Sequence, residues 1–135
     1  MTLVSIEYRR PEDFEAAFEV ARRSHVEALI EFSDLVSYNN AGRVAGLAAA
    51  AGLPSMFAFR EAAEAGALMS YGPSIPEMWR RGADYVVRIL QGSNPAEMAI
   101  EQPTRFEFVV NLNAAKALGL KVPQAVLLEA TDLIQ

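Results

Sequence analysis

Cysteine is absent from the 135 residues, which excludes disulfide staples and every thiolate metal site. Histidine is scarce as well. The single one, His25, has no partner at H-x-x-x-H spacing, and its place between a helix end and an apolar run suits a capping or surface role. Basic residues are outnumbered, 12 against 17 acidic ones, for a formal net charge of -5. Arg9–Arg10, Arg22–Arg23 and Arg80–Arg81 are isolated pairs, whereas tracking a phosphate backbone needs a continuous stripe, so a nucleic-acid surface is not expected. No apolar run approaches the roughly 18 residues of a membrane span, because Arg43, Arg60 and Glu64 interrupt the alanine-rich centre. The opening "MTLVSIEYRRPEDF" lacks the basic segment and long apolar core of a secretory signal. If Met1 is the natural start, a cytoplasmic location is expected.

What is present is a globular composition, with 52% hydrophobic and 21% charged residues. A chain of this length buries about two-thirds of its unfolded surface, so residues 1–135 are read as one domain around one core. Apolar runs alternate with helical patterns, the mark of βαβ units and a mainly parallel sheet. Strands are expected at 3–8 ("LVSIEY"), 26–32 ("VEALIEF"), 54–59 ("PSMFAF"), 67–71 ("ALMSY") and 102–113 ("QPTRFEFVVNLN"). In the last of these Phe106, Phe108 and Val110 share a side. Helices are expected at 11–24, with Pro11 in the first turn and Glu12, Asp13 and Glu15 near the positive end of its dipole. Further helices follow at 41–52, 60–66 and 76–92, then two terminal pieces, "AAKALGL" and "PQAVLLEATDLI". The helix at 76–92 is amphipathic, with Met78, Tyr85 and Ile89 on one face and Val86 and Leu90 beside them. Gly72–Pro73 reads as the turn before it.

Catalytic chemistry is thin. Ser24 or Ser33 with His25 and Asp34 would make a triad, but nothing has the form of a nucleophile elbow. No acid–base pair stands out, so an enzyme is not expected, and neither a cofactor nor a metal is implied. "AGRVAG" is not a phosphate cradle, since Gly42 and Gly46 fall inside a helix; close packing of that helix is the reading for both.

Polar side chains collect after two strands: Ser33, Asp34, Ser37, Tyr38, Asn39 and Asn40 after the second, and Ser70, Tyr71, Gly72 and Ser74 after the fourth. Parallel α/β sheets bind ligands outside the carboxyl ends of their strands. Ser, Asp and Asn also cap helices and form turns, so position alone leaves both readings open.

From "VSIEYRRPEDFEAAF" to "VPQAVL", the order and spacing of the motifs resemble the C-terminal part of ABC-transporter substrate-binding proteins of the tryptophan/tyrosine type. "FREAAEAGALMSYGP" and "YVVRILQGSNPAEMAIEQPTRFEFVVNLNAAKALGL" carry most of the likeness. The resemblance implies an α/β, Rossmann-like three-layer sandwich with a mainly parallel sheet, equivalent to one lobe of a type I periplasmic-binding protein. It implies a periplasmic location if the chain is a fragment of the full-length protein, and an ABC permease as partner. Against that pattern the family's signal peptide and N-terminal lobe are expected to be missing, and half of the usual cleft with them. Carried onto matching positions, the cleft falls on Asp34, Ser37 and Asn39 and on Ser70 and Tyr71. Asp34 would meet an amino acid's ammonium, Ser70 its carboxylate and an aromatic ring its side chain. Two functions follow: a small-molecule solute-binding module, or an interaction domain that only associates. A homodimer is expected, with residues 67–92 exchanged or packed across the two-fold axis because their sheet partners are missing.

Overall fold

The computed structural model describes residues 2–32 and 34–135; Ser33, one of the polar residues singled out above, and Met1 lie outside the described residues. Five strands form one sheet in the order β1 (Leu29–Ile30), β2 (Ser55–Phe57), β3 (Met69–Pro73), β4 (Phe106–Asn111) and β5 (Asp132–Ile134). β1, β2 and β3 run parallel, β4 lies antiparallel to β3, and β5 is parallel to β4. The helices are α1 (Phe14–Arg23), α2 (Leu35–Asn39), α3 (Ala41–Ala50), α4 (Arg60–Glu64), α5 (Ile75–Leu90), α6 (Leu112–Ala117) and α7 (Gln124–Glu129). This is the α/β, mostly parallel, helix-flanked architecture expected from the sequence.

The core forms where α1, α3 and α4 meet the sheet. Phe14, Val44, Ala45, Phe57, Ala62 and Ala67 make one buried cluster, with Tyr8, Phe18 and Leu47 packed on its rim. α1 begins behind a single turn at Pro11–Asp13, where the Asp13 carboxylate accepts from the backbone N–H groups of Arg9 and Arg10 at 3.1 and 3.0 Å. Those bonds hold its carboxyl below the usual range. The acidic cluster at 12–15 therefore shapes a helix start, as expected. His25 closes α1 in the left-handed region, with φ +50°, and is exposed.

Several expected elements differ. Residues 3–8 form no strand, and among the described residues no strand pairs with them. The helix expected after "SDLVSYNN" begins earlier and breaks into α2 and α3 at Asn40, whose φ of −122° and ψ of 22° leave the helical region. Gly42 and Gly46 lie in α3, but a Cβ at Gly46 would meet nothing and one at Gly42 only Ala65 at 3.8 Å, so neither is required for close packing. Gly72–Pro73 is no turn; both residues lie in β3, where a Cβ on Gly72 would stand 1.9 Å from the Ala58 carbonyl oxygen. The last expected helix ends at Glu129, and residues 132–134 form β5 instead. Thr131 makes that switch. Its N–H and hydroxyl both donate to the Phe108 carbonyl, at 2.8 and 3.0 Å, and its oxygen accepts from the Phe108 N–H at 2.8 Å, which draws the chain onto β4.

Two polar knots tie α4 to the sheet. Asn111, buried at the end of β4, donates to the Ala63 carbonyl and accepts from the Ala114 N–H, each at 2.9 Å, so one side chain caps α6 and holds α4. Arg60 meets Glu64 at 2.9 Å, Asp132 at 2.7 Å and Glu107 at 3.5 Å. That set raises the guanidinium's affinity for its proton and lowers the Asp132 carboxyl below its ordinary range.

Candidate functional site

The carboxyl ends of β1 and β2 open toward α2 and α4, and the side chains that gather there come from four segments. Asp34 is the N-cap of α2: its carboxylate accepts from the Ser37 N–H at 2.8 Å, while the Ser37 hydroxyl accepts from the Asp34 N–H at 3.0 Å and donates to the Asp34 carbonyl at 3.1 Å. Beside them the Tyr8 hydroxyl donates to Glu31 at 2.8 Å. Burial is the main reason the Tyr8 phenol is pushed up to about 12, and the neighbouring Glu31 and Asp34 carboxylates push the same way. On the α4 side Tyr38 meets Phe59 edge-to-face, with ring centroids 5.4 Å apart, and donates to one Glu61 oxygen at 3.4 Å. Burial, then the Glu61 charge, raises the Tyr38 phenol. The other Glu61 oxygen is buried with no hydrogen-bond partner among the described residues. Rings backed by carboxylates suit a flat apolar group carrying positive charge.

The five residues singled out from sequence do not form one surface. Asp34 and Ser37 come together, but Ser37 is buried and its hydroxyl is committed to the turn it closes. Asn39 is exposed at the end of α2. Ser70 and Tyr71 sit inside β3 rather than in a loop after it, and successive strand residues face opposite ways. Ser70 is 1% exposed, with a hydroxyl that has no partner among the described residues, so it cannot touch a solute in this arrangement. Tyr71 is 54% exposed on the other face, stacked on Phe106 at 5.8 Å and edge-on to Phe108 at 6.1 Å. Tyr8, Glu31, Phe59 and Glu61 escaped the sequence reading. Glu31 carried a signal: it alternates with Leu29 on the inward register of an apolar strand, and a carboxylate there needs a partner.

A second concavity, about 360 Å³, lies along α5 and is lined by Glu77, Arg81, Asp84, Tyr85, Arg88 and Glu101. Its polar groups are largely engaged with each other. Arg81 donates to the Gln102 carbonyl at 2.9 Å and to Thr104 at 3.1 Å, and Tyr85 donates to the Ala99 carbonyl at 2.6 Å. The groove is the seam that fastens residues 99–104 to the helix. Among the described residues, no group of acidic or histidine side chains is arranged to hold a metal ion.

A family model described as ABC transporter substrate binding protein matches residues 1–134. The chain belongs to that family. No curated protein matches it. Among solved structures, the chain superposes on a conserved domain protein from Vibrio cholerae O1 biovar El Tor with a TM-score of 0.84 and 26% identity, over 92% of this chain and 42% of that one. It also superposes on an ABC domain in complex with L-Trp from Streptococcus pneumonia, with a TM-score of 0.90 and 21% identity, over 99% of this chain and 45% of the other. A third likeness is the ligand-free, open structure of a substrate-binding protein with adhesive properties from Clostridium difficile, at TM-score 0.60 and 19% identity, over 92% and 41%. The chain therefore spans less than half the length of these structures.

Proposed function

We propose that these residues supply one wall of a solute-binding cleft in an ABC transporter substrate-binding protein, and that the solute is an aromatic amino acid. The observation that carries the reading is family membership over residues 1–134, joined to aromatic rings backed by carboxylates at the strand ends. The L-Trp held by the pneumococcal neighbour supports the solute class. Asp34, at the mouth of α2, takes the ammonium; Asn39 and the Tyr38–Phe59 pair flank it, and Tyr71 offers a ring on the opposite face of the sheet. The solute's carboxylate finds its donor elsewhere in the protein, because Arg60, in the first turn of α4 beside these strand ends, is already held by three carboxylates. Family membership supports delivery to an ABC permease, from the periplasm. No helix among the described residues is long and apolar enough to cross a membrane.

Calorimetric titration with L-Trp, L-Tyr and L-Phe, with L-Leu as the comparison, tests this. With part of the contact surface supplied elsewhere, a dissociation constant of roughly 0.1–1 mM is expected for the aromatic set. Asp34→Asn keeps the helix cap and removes the charge, so it weakens binding without lowering thermal stability. Absence of heat from every aromatic amino acid at millimolar concentration rejects the reading.

One observation favours a second reading, association between copies. α5 buries none of its residues, and Met78, Trp79, Val86, Val87 and Leu90 are exposed. β3 cannot be the reason for exchange, since it is paired on both sides within the chain. A dimer packed helix to helix through α5 would cover that apolar face. Light scattering that gives a dimeric mass, reduced to a monomer by Trp79→Glu, supports it; a monomeric mass across micromolar concentrations overturns it.

A further inference from the structure

Two buried side-chain atoms have no hydrogen-bond partner among the described residues, the Ser70 hydroxyl and one carboxylate oxygen of Glu61. Ser70 is enclosed within the sheet, whereas Glu61 stands in the first turn of α4, beside the candidate site. A carboxylate oxygen shut away from water costs free energy until a donor reaches it. Arg60, the preceding residue, does not supply one, because Glu64, Glu107 and Asp132 hold its guanidinium. The other Glu61 oxygen shows what kind of donor the place admits. It accepts from the Tyr38 hydroxyl at 3.4 Å, long for an O–H···O bond, while the Tyr38 ring lies edge-to-face on Phe59. An aromatic ring with a polar hydrogen at its rim therefore already lies against this carboxylate, weakly bonded and partly open to solvent. Tyr38 also lies one helical turn beyond Asp34, its N–H bonded to the Asp34 carbonyl at 2.9 Å, so about 6 Å of helix rise separates the two. That is comparable with the span from the ammonium of an aromatic amino acid to its ring.

We infer that Glu61 selects among aromatic solutes: it accepts a hydrogen bond from an N–H or O–H carried on the solute's ring, and Tyr38 holds that place until the solute displaces it. The inference rests on the solute reading above and adds to it the residue that discriminates. With the ammonium on Asp34, the ring extends along α2 and its polar rim meets Glu61 once the Tyr38 side chain turns out toward solvent. A donor on a ring arrives with an apolar body that fills the vacated space and loses little hydration. A ring without a donor displaces Tyr38 and leaves both Glu61 oxygens unpaired, and a site built around a buried acceptor rejects such a solute for that reason.

Calorimetric titration of the purified chain compares L-Trp and L-Tyr with 1-methyl-L-tryptophan and L-Phe, the matched rings that lack the donor. About tenfold tighter binding of the first pair is expected. Glu61→Leu removes the acceptor and should bring L-Tyr and L-Phe within about twofold of each other. Tyr38→Phe keeps the ring and removes the competing hydroxyl, so every aromatic solute should bind about threefold tighter. A merely structural role for either side chain would shift all solutes together at Glu61 and tighten none at Tyr38. Equal binding of L-Tyr and L-Phe by the unaltered chain, a preference that survives Glu61→Leu, or unchanged or weaker binding in Tyr38→Phe overturns the inference and leaves the aromatic reading standing. Absence of heat from all four solutes rejects both.

Discussion

α1 and α5 are both amphipathic helices, and α5 separates its apolar from its polar residues at least as sharply, yet α1 buries Phe14, Ala17 and Ala21 while α5 buries nothing. A helix's periodicity tells which side wants a partner; it does not tell whether the partner is within reach. α1 finds α3 and β2. Among the described residues, the side chains of α5 reach the strap 99–104, which attaches to it through polar contacts. The chain is therefore a packed body with an arm, and side chains of similar chemistry should carry different weight in the two.

The largest expected difference lies between matched aromatic truncations. Phe14→Ala removes a fully buried ring from the centre of the cluster and should cost about 3–5 kcal/mol. Trp79→Ala on α5, where the ring is 76% exposed, should fall within about 0.5 kcal/mol. Chemical denaturation of both variants checks this, and a large loss at Trp79 would mean that the arm is covered in solution. Two glycine substitutions sharpen the contrast further. Gly72→Ala drives a methyl into the Ala58 backbone and should destabilise by about 3 kcal/mol, whereas Gly82→Ala in α5 meets nothing and should stabilise by up to about 1 kcal/mol. Thermal melts showing equal effects would erase the distinction.

The smallest effect is one of pH. The Tyr8 phenol ionises near 10 in the unfolded chain and only at about 12 in the folded one, so the unfolded state loses its proton first. Stability from this group is fully present below pH 10 and is lost as pH rises from 10 toward 12. Tyr8→Phe removes that alkaline dependence, and melts at pH 9 and pH 11 compared between the two proteins measure it. An unchanged pH profile in Tyr8→Phe would place the alkaline loss elsewhere.

The parallel run from β1 to β3 with its helices was legible because each strand brings an apolar stretch and each helix a 3.6-residue stripe. β5 was not. Its pairing depends on Thr131 reaching the Phe108 backbone, a contact across 23 residues that no local pattern announces. Residues 3–8 failed in the opposite way: the local alternation suggested a strand, but among the described residues no neighbour pairs with them and none forms. At the candidate site Asp34 and Ser37 were recognisable from loop chemistry. Gly72 and Pro73 were read as a turn, and Ser70 and Tyr71 as its approach, because glycine and proline usually end strands, whereas here both lie within β3. Gly72 is needed in β3 for the close approach of Ala58, and Pro73 occupies the strand's last position. Tyr8, Glu31, Phe59 and Glu61 meet only through tertiary folding.

The guanidinium of Arg60 gathers carboxylates at positions 64, 107 and 132, and this fixes an order of events during synthesis. Its partner on α4 is available at once, the one on β4 after forty-odd more residues, and the one on β5 only when residue 132 has left the ribosome. Until then α4 and the β3–β4 pair stand beside an open sheet edge on the side where β5 will dock. Long-range pairing of this kind is slow and exposes apolar strands while it waits, so the nascent chain is vulnerable to mispairing at this edge until residue 132 arrives.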